Sequence, residues 1–507
     1  MLKKIQMVTY IFCIVSAIAS IAVCVIECKN LYWKGIVFLP VTFLGVCIIV
    51  ATFIDLIYKS IFITLMGVIY WLRLVLTPII MCFADFKVVP VNTDWEQYLP
   101  KAFALECYET IVVFLILYMF AKKIRKLNNN LYSYKQIRYS YLFKTVMFVL
   151  LLFALIMFTL WPSLIRYFFV TIFGAPNTWY VNVEQRSLSG AGTGPLGVFV
   201  TALSYLIVIF QMILPAIIMT YILNRKNRNL QNGYSQRKAS CRFIISSFIL
   251  IGITVFIATE SRANSVIAAT CLIFTMMAYS NEEEKRVELI IFVLLFVFAF
   301  GAFVYKAKYQ SSLNTTGGIG MVSQVISEYF GGPQNIAASV KATENNNGSD
   351  LKYVVIDILN HLPYGNFFLT EKLAKMDSST ILFNRALYDM NNREWDQIIP
   401  AIGQGYLWFG GVLAPLNPAI MVVLGCIFEL KAKKAKSPIY KHVYTWGLIW
   451  MGFGIGSDNL SLGCSFLWYI IIVLVIDSAS YFYIDSIPGD RQSVAICHGL
   501  KNEIEAD

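Results

Sequence analysis

The sequence predicts an all-α, polytopic membrane protein with about twelve transmembrane helices and a helical external loop subdomain. Of its 507 residues, 58% are hydrophobic and only 14% are charged, whereas a soluble domain carries roughly 25% charged residues. This composition excludes a soluble enzyme and a disordered chain. The apolar residues form continuous runs, which excludes an outer-membrane barrel, because strands of such barrels alternate between apolar and polar residues.

A membrane helix needs about 20 apolar residues, and this length identifies the predicted spans. The first follows Lys3 and Lys4 and stays apolar to Ile26. That run is longer than the apolar region of a cleaved signal peptide, so we predict an uncleaved signal anchor. The twelve predicted spans lie near residues 5–27, 36–55, 61–83, 103–121, 144–161, 198–222, 243–258, 264–280, 287–304, 411–429, 442–456 and 462–484.

Positive charge predicts how these spans are oriented. The connections 122–144, 223–242 and 430–441 carry seven, six and five Lys or Arg residues. Cytoplasmic loops are enriched in these residues, so we predict a multi-pass membrane protein with both termini in the cytoplasm. The net charge of +11 is therefore a mark of topology. The chain has no basic arm, and we expect no nucleic-acid partner.

The lengths of the connections divide the chain into four predicted regions. Residues 1–304 form a bundle of nine spans that includes an external loop at 162–197. Residues 305–397 form a large external subdomain, in which Leu382, Phe383, Ala386 and Leu387 recur at helical spacing. Residues 398–484 hold a short segment and the last three spans, and residues 485–507 form a cytoplasmic tail.

The distribution of potential metal ligands favours neither a metal site nor a cofactor. The 11 cysteines form no CxxC pair and the three histidines are far apart. Two acid-x-acid patterns, Asp94-Trp95-Glu96 and Glu394-Trp395-Asp396, could hold Mg²⁺. Patterns of two residues arise often by chance, so we predict no metal and no cofactor.

Arg262 is the first candidate for a functional residue. With Glu260 it lies in a very short external connection between the seventh and eighth predicted spans. An arginine at a membrane boundary is costly unless it is paired or functional. Pairing with Glu260 would be a structural role. We favour a functional role, because the adjacent spans hold this turn close to the bilayer.

Further cations in the external loops could bind a diphosphate, since a guanidinium forms two bonds to phosphate at once. His361 is the only external histidine and could act as a general base near neutral pH, although a lone histidine at a helix end is more often structural. The candidate anion-binding residues are Arg166, Arg186, Lys308, Arg385 and Arg393.

Three ionisable residues lie inside predicted spans. Arg73, Glu106 and Glu109 would be costly if they faced lipid, so we expect Arg73 to form a buried pair with a glutamate of the neighbouring span. Such a pair could line a substrate path or hold helices together, and we favour the second. The series Gly452, Gly454 and Gly456 predicts a close approach of helices.

Three short segments resemble the Wzy-type polysaccharide polymerases of bacterial envelopes, as does the layout of spans with one large late external loop. Thr259-Glu260-Ser261-Arg262-Ala263 resembles an arginine-bearing turn of that family. Tyr329-Phe330-Gly331-Gly332-Pro333 resembles part of its large loop. The run Ile402-Gly403-Gln404-Gly405-Tyr406-Leu407-Trp408-Phe409-Gly410-Gly411 is similar to its re-entrant segment, and adds Tyr406 as a candidate substrate-binding residue.

The resemblance implies a GT-C-like fold and a glycosyl transfer at the external face of the bacterial plasma (inner) membrane. A glycan on undecaprenyl diphosphate would pass to a hydroxyl of a new lipid-linked repeat unit. Arginines would stabilise the diphosphate leaving group, and Glu260, His361 or Asp396 would take the proton of the acceptor hydroxyl. A chain-length regulator and a flippase in the same membrane are possible partners. The alternatives are a lipid-linked oligosaccharide flippase or transporter, and an O-antigen-type ligase.

Overall fold

A computed structural model describes most of the chain. The described residues are 2–28, 30–84, 95–128, 141–160, 195–257, 262–281, 283–294, 330–361, 376–388, 399–435, 437–457 and 460–485, together with the single positions 297, 301, 322 and 326. Within this part of the chain the regular structure is entirely helical. The predicted all-α class is therefore confirmed for these residues.

Seventeen helices are used below, and every predicted span overlaps one of them. The first six are α1 Leu2–Glu27, α2 Phe38–Ala51, α3 Ile61–Trp71, α4 Thr77–Phe83, α5 Leu99–Asn128 and α6 Tyr141–Leu160. The next four are α7 Pro195–Gln231, α8 Gln236–Ile257, α9 Arg262–Met277 and α10 283–294. The last seven are α11 Pro333–Asn345, α12 Lys352–His361, α13 Ser379–Tyr388, α14 Ala401–Phe409, α15 Leu416–Lys434, α16 Pro438–Ser457 and α17 Leu460–Asp485.

Five of the described helical segments are long and apolar enough to cross a membrane. Many of their large apolar side chains face outward, as in α1, where Val8 and Val15 are 66% and 58% exposed. Water would not tolerate such a surface over a whole helix, but lipid covers it. The protein is thus membrane-embedded, while the count of twelve spans stays a prediction. The five segments are Lys4–Glu27, Lys34–Ala51, Ile61–Phe83, Glu96–Leu127 and Gln236–Val255.

The chain folds into two compact units. The first comprises residues 1–131, 291–434 and 444–466, and the second comprises 132–290, 435–443 and 467–507. In the first unit α5 packs against α2, α15 and α11. In the second unit α7 packs against α8 and α6, and α8 packs against α9.

The large external subdomain expected at 305–397 contains α11, α12 and α13 among its described residues. We call these three helices, together with α14, the cap. The apolar positions expected to share one helical face do so, because Leu382, Phe383, Ala386 and Leu387 of α13 are all buried. The nine residues of α14 rise only about 13 Å, which is too short to cross a bilayer.

The start of α3 is held by a carboxylate from a distant part of the first unit. Glu429 of α15 is buried, and its carboxylate accepts hydrogen bonds from the hydroxyl of Ser60 at 2.6 Å and from the backbone N–H groups of Ile61 and Phe62 at 3.1 and 3.0 Å. The first N–H groups of a helix have no partner within the helix, and the helix dipole favours an anion there. Glu429 therefore fastens α15 to the beginning of α3.

Replacing Glu429 by alanine is expected to lower the free energy of unfolding by about 2–3 kcal/mol, because three donors lose a charged acceptor. Thermal unfolding of the purified protein in detergent measures the change. Glu27→Ala is the matched control, since Glu27 is exposed on α1 and a surface change of this kind stays within about 0.5 kcal/mol. Equal midpoints for the two variants would contradict the assigned role of Glu429.

Candidate functional site

The most elaborate polar site among the described residues of the first unit surrounds Arg73. Between α3 and α4 the chain widens into one π-helical turn, Leu72–Leu76. Such turns are rare and occur frequently at functional sites. Arg73 lies in this turn and its side chain is completely buried. The turn thus places a cation in the interior of a segment that is long and apolar enough to span a membrane.

Two glutamates of α5 contact this cation, but they do so unequally. Glu109 accepts hydrogen bonds from Arg73 Nη1 at 2.9 Å and Nη2 at 3.2 Å, and another from the hydroxyl of Tyr70 at 2.8 Å. Glu106 is only an ion-pair neighbour, with its Oε1 3.4 Å from Arg73 Nε. The predicted buried pair is confirmed, and Glu109 is the carboxylate with the bidentate geometry.

The cluster formed by Tyr70, Arg73, Glu106 and Glu109 holds one more negative charge than positive charge when both carboxylates are ionised. Glu106 is fully buried, and neither of its oxygens accepts a hydrogen bond from a described residue. A buried charge without hydrogen bonds is costly. Glu106 is therefore the member of the cluster that can bind a proton or another cationic group without breaking an existing bond.

The cap begins directly on this cluster. The carbonyl oxygen of Gly331 lies 3.4 Å from Arg73 Nη2, and Gly331 has a positive φ of 63°. A Cβ atom at this position would lie 2.3 Å from the carbonyl oxygen of Gly456. Only glycine combines this backbone conformation with this contact. The predicted close approach at Gly456 is therefore an approach of α16 to the backbone that enters the cap.

Gly331→Ala is expected to destabilise the protein by about 2–4 kcal/mol, because it adds overpacking of about 1–3 kcal/mol to the cost of a positive φ. Gly348→Ala is the matched control in the cap. Gly348 also has a positive φ, but a Cβ there would meet open space. In thermal unfolding, Gly331→Ala should have a clearly lower midpoint than Gly348→Ala. A loss at position 348 as large as that at 331 would show that backbone strain alone decides the cost.

The interior of the cap contains a second polar network, centred on Asp357 of α12. Its carboxylate accepts hydrogen bonds from the backbone N–H of Ser379 at 3.0 Å, from Gln404 Nε2 at 3.0 Å and from Trp408 Nε1 at 2.9 Å. Asn417 continues the network, because its Nδ2 donates to the Oε1 of Gln404 at 3.0 Å. One carboxylate thus ties α12, α13 and α14 together.

Asp357 is also the buried acid of the cap. Its burial raises the pKa of the carboxyl group, and the donated hydrogen bonds oppose part of this shift. His361 follows four residues later on the same helix, so its backbone position lies on the same helical face. The helix therefore carries an acid and a histidine one turn apart at the point where α12 ends.

Tyr406 lies at the edge where the cap meets α5. Its side chain is buried, and the ammonium of Lys101 lies 4.9 Å from the centre of its ring. Lys101 also forms an exposed ion pair at 2.8 Å with Glu344 of α11. One ammonium therefore joins α5 to α11 through a carboxylate and to α14 through an aromatic ring.

The other predicted site residues are placed as follows. Arg262 is the first residue of α9 and His361 the last of α12, and the description of both is limited to the backbone. Arg385 lies on α13 and forms an ion pair with Asp377. The remaining candidates lie outside the described residues: Glu260, Asp396, Arg166, Arg186, Lys308 and Arg393.

Sequence reasoning did not identify Asp357 or Lys101 as site residues. A signal for Asp357 existed, because it is an acid between Ile356 and Ile358 on a helix whose apolar face is buried. Nothing in the sequence pairs Lys101 with Glu344, which is 243 residues away. Comparisons of the chain with family models, with curated proteins and with solved structures found no match.

Proposed function

We propose that this protein is a membrane glycosyltransferase that polymerises undecaprenyl-diphosphate-linked oligosaccharide repeat units into a surface polysaccharide at the external face of the plasma membrane. The observation that carries the proposal is the cap. Four helices fold together around the Asp357 network, and they are seated on α5 and on the Arg73 cluster. A chain that only moved its substrate across the bilayer would not need a folded layer of this kind.

The reaction would need few groups from the protein. The acceptor hydroxyl attacks the anomeric carbon of the donor glycan, the bond from that carbon to the diphosphate oxygen breaks, and the lipid diphosphate leaves. Fixed cations beside the membrane would stabilise the charge that develops on the diphosphate, and Arg262, Arg186 and Arg393 are the proposed contributors. No nucleotide is required, because the diphosphate bond already activates the donor.

The acceptor proton needs a base, and three acidic or basic groups are candidates. Glu260, His361 and Asp396 are the residues that the sequence suggests. Asp357 lies one turn before His361 on the same helix, and its hydrogen bonds to α13 and α14 fix the end of α12 that carries His361. Lys101 and Tyr406 are the proposed binding surface for the sugar and phosphate at the edge of the cap.

The decisive experiment places the purified protein in liposomes with a labelled lipid-linked repeat unit, without nucleotide and without an ion gradient. We expect a ladder of lengthened lipid-linked glycans on a gel. Heat-inactivated protein is the control. Labelled lipid that crosses the bilayer without any lengthening would contradict the polymerase.

A flippase or transporter is the second candidate, and one observation favours it. The carboxylate of Glu106, which accepts no hydrogen bond from a described residue, lies in a predicted span, and ionisable groups at such positions often mark transport pathways. Glu106→Gln separates the two functions. A transporter coupled through this carboxylate would lose transport, whereas the proposed polymerase should keep elongating, since its chemistry takes place at the external face.

A further inference from the structure

The second unit contains a polar cavity that plays no part in the proposed glycosyl transfer. Its volume is about 350 Å³, at the lower end of the range for ligand pockets. The end of α7, the start of α8 and the chain that follows α9 border it, and it is open to the surface on one side. The lining residues are Lys226, Asn227, Leu230, Gln236, Ala239, Ser240, Tyr279, Ser280 and Asn281.

A hydrogen-bonded network lies at one side of this cavity. Glu284 is fully buried, and its Oε2 accepts from the ammonium of Lys226 at 2.5 Å and from the backbone N–H of Asn281 at 2.8 Å. The side chain of Asn281 donates to the hydroxyl of Ser240 at 3.1 Å. The other oxygen of Glu284 accepts no hydrogen bond from a described residue. The network therefore holds the side chains of Lys226 and Asn281 in place at the edge of the cavity.

The helix ends that line the cavity are strongly cationic, while the segment after Asn281 carries the exposed Glu283 and the buried Glu284 and Glu288. Residues 222–242 contain six Lys or Arg residues and no Asp or Glu. Lys226 lines the cavity, and the other five cations are exposed. They lie on the last turns of α7 and the first turns of α8: Arg225, Arg228, Arg237, Lys238 and Arg242. These five cations, which we call the rim, lie on the same helix turns as the lining residues, and cations beside a polar pocket suit an anion that also carries hydroxyl groups.

The cavity lies at the depth of lipid headgroups. On α8 the exposed apolar side chains begin at Ile245 and continue with Phe248, Ile249 and Ile253, a surface that hydrocarbon would cover. Ser240 precedes Ile245 by five residues, or about 7 Å of helix. The polar lining and the rim are therefore next to the level at which the lipid-covered surface of the same helix begins.

We propose that this cavity binds the headgroup of an anionic phospholipid, with the phosphate ester on the arginines of the rim and the headgroup hydroxyls on the amide and hydroxyl lining. Basic pockets at the ends of membrane helices recognise anionic headgroups in this manner. The cavity volume fits a glycerol phosphate group. The same chemistry is present in soluble glycerol phosphate, so the test must distinguish the lipid from the soluble ester.

Native mass spectrometry of the full-length protein in detergent tests the proposal with phosphatidylglycerol as the probe and phosphatidylcholine as the zwitterionic comparison. We expect the wild-type protein to retain one phosphatidylglycerol in preference to phosphatidylcholine. The double variant Arg228→Gln, Arg237→Gln should bind phosphatidylglycerol about tenfold or more weakly, since each cation near a headgroup contributes about 1 kcal/mol. Both arginines are exposed, so the fold should survive the change.

Two further variants separate the cavity from general surface charge. Lys122→Gln with Lys126→Gln removes the same number of exposed charges from α5 in the first unit and should leave lipid retention unchanged. Ala239→Leu changes no charge but fills the cavity from α8, and should weaken the preference for phosphatidylglycerol as strongly as the loss of the arginines does.

Three results would overturn the proposal. The first is equal retention of the two lipids by the wild-type protein. The second is an equal loss of phosphatidylglycerol binding in the α5 control, which would show that only the net charge of the protein matters. The third is complete displacement of the lipid by millimolar glycerol phosphate, which would make a soluble ester the occupant.

Discussion

Glu109→Gln is expected to lower the free energy of unfolding by about 2–4 kcal/mol, whereas Glu106→Gln should leave it nearly unchanged or raise it. Glu109 accepts two hydrogen bonds from Arg73 and one from Tyr70. A hydrogen bond to a charged group contributes about 1.5–3 kcal/mol, and an amide in this position would turn its own N–H₂ towards the donors of Arg73.

The two glutamates form a matched pair, because they have the same side chain and lie three residues apart on the same face of α5. Glu106 accepts no hydrogen bond from a described residue, and its neutralisation balances the charge of the cluster. Thermal unfolding in detergent and the amount of protein in membranes measure both variants. Equal damage from the two changes would show that charge alone, and not the bidentate geometry, stabilises the cluster.

Among the variants of this cluster, Arg73→Met is expected to cause the largest loss in the free energy of unfolding. It leaves two carboxylates buried without a cation, and breaking a buried pair in this way costs about 3–5 kcal/mol. The triple variant, with Glu106→Gln and Glu109→Gln added to Arg73→Met, no longer buries those two charges. It should therefore be more stable to unfolding than Arg73→Met alone.

Arg262→Ala is expected to reduce chain elongation by about 10²–10³-fold while the protein still accumulates in the membrane, since this is the typical cost of losing one well-placed donor to a developing charge. Arg262 is the first residue of α9. The free N–H groups and the positive dipole of a helix start favour an anion, so the lipid diphosphate would meet two sources of positive potential there.

Arg262→Lys should retain only a small fraction of the activity. A lysine keeps the charge but cannot bind two phosphate oxygens in one plane. Glycan length on a gel, measured beside the amount of membrane protein, reports the result, and Lys126→Ala on α5 is the control cation. Normal ladders from Arg262→Ala would exclude this residue from the site, and a loss of the protein itself would favour the structural role instead.

The helices were predictable because the length and continuity of an apolar run decide whether it can span a membrane. The buried ion pairing of Arg73 with the glutamates was also predictable, since ionisable groups in membrane-spanning segments usually pair. The sequence does not decide between Glu106 and Glu109, because three residues of spacing put both on one face. The structure decides it, because both Nη atoms of Arg73 donate to Glu109 and neither donates to Glu106.

The cap was predictable only in outline. The spacing of Leu382, Phe383, Ala386 and Leu387 predicted the buried face of α13, because a helical period leaves a local pattern. The contact between Gly331 and Arg73 joins residues 258 positions apart, and no local pattern carries that information. The same is true of the contact between Lys101 and Glu344, which defines the edge of the cap.

The carboxylate of Glu429 also sets an order of events during synthesis. Its bonds reach back to Ser60, 369 residues earlier in the chain. At a translation rate of about 5–20 residues per second, Glu429 is synthesised roughly 20–70 s after the start of α3. During that time the ribosome produces most of the remaining membrane helices. The N-terminal helices of the first unit must therefore insert and persist in an unfinished state, and they become fastened only when α15 arrives.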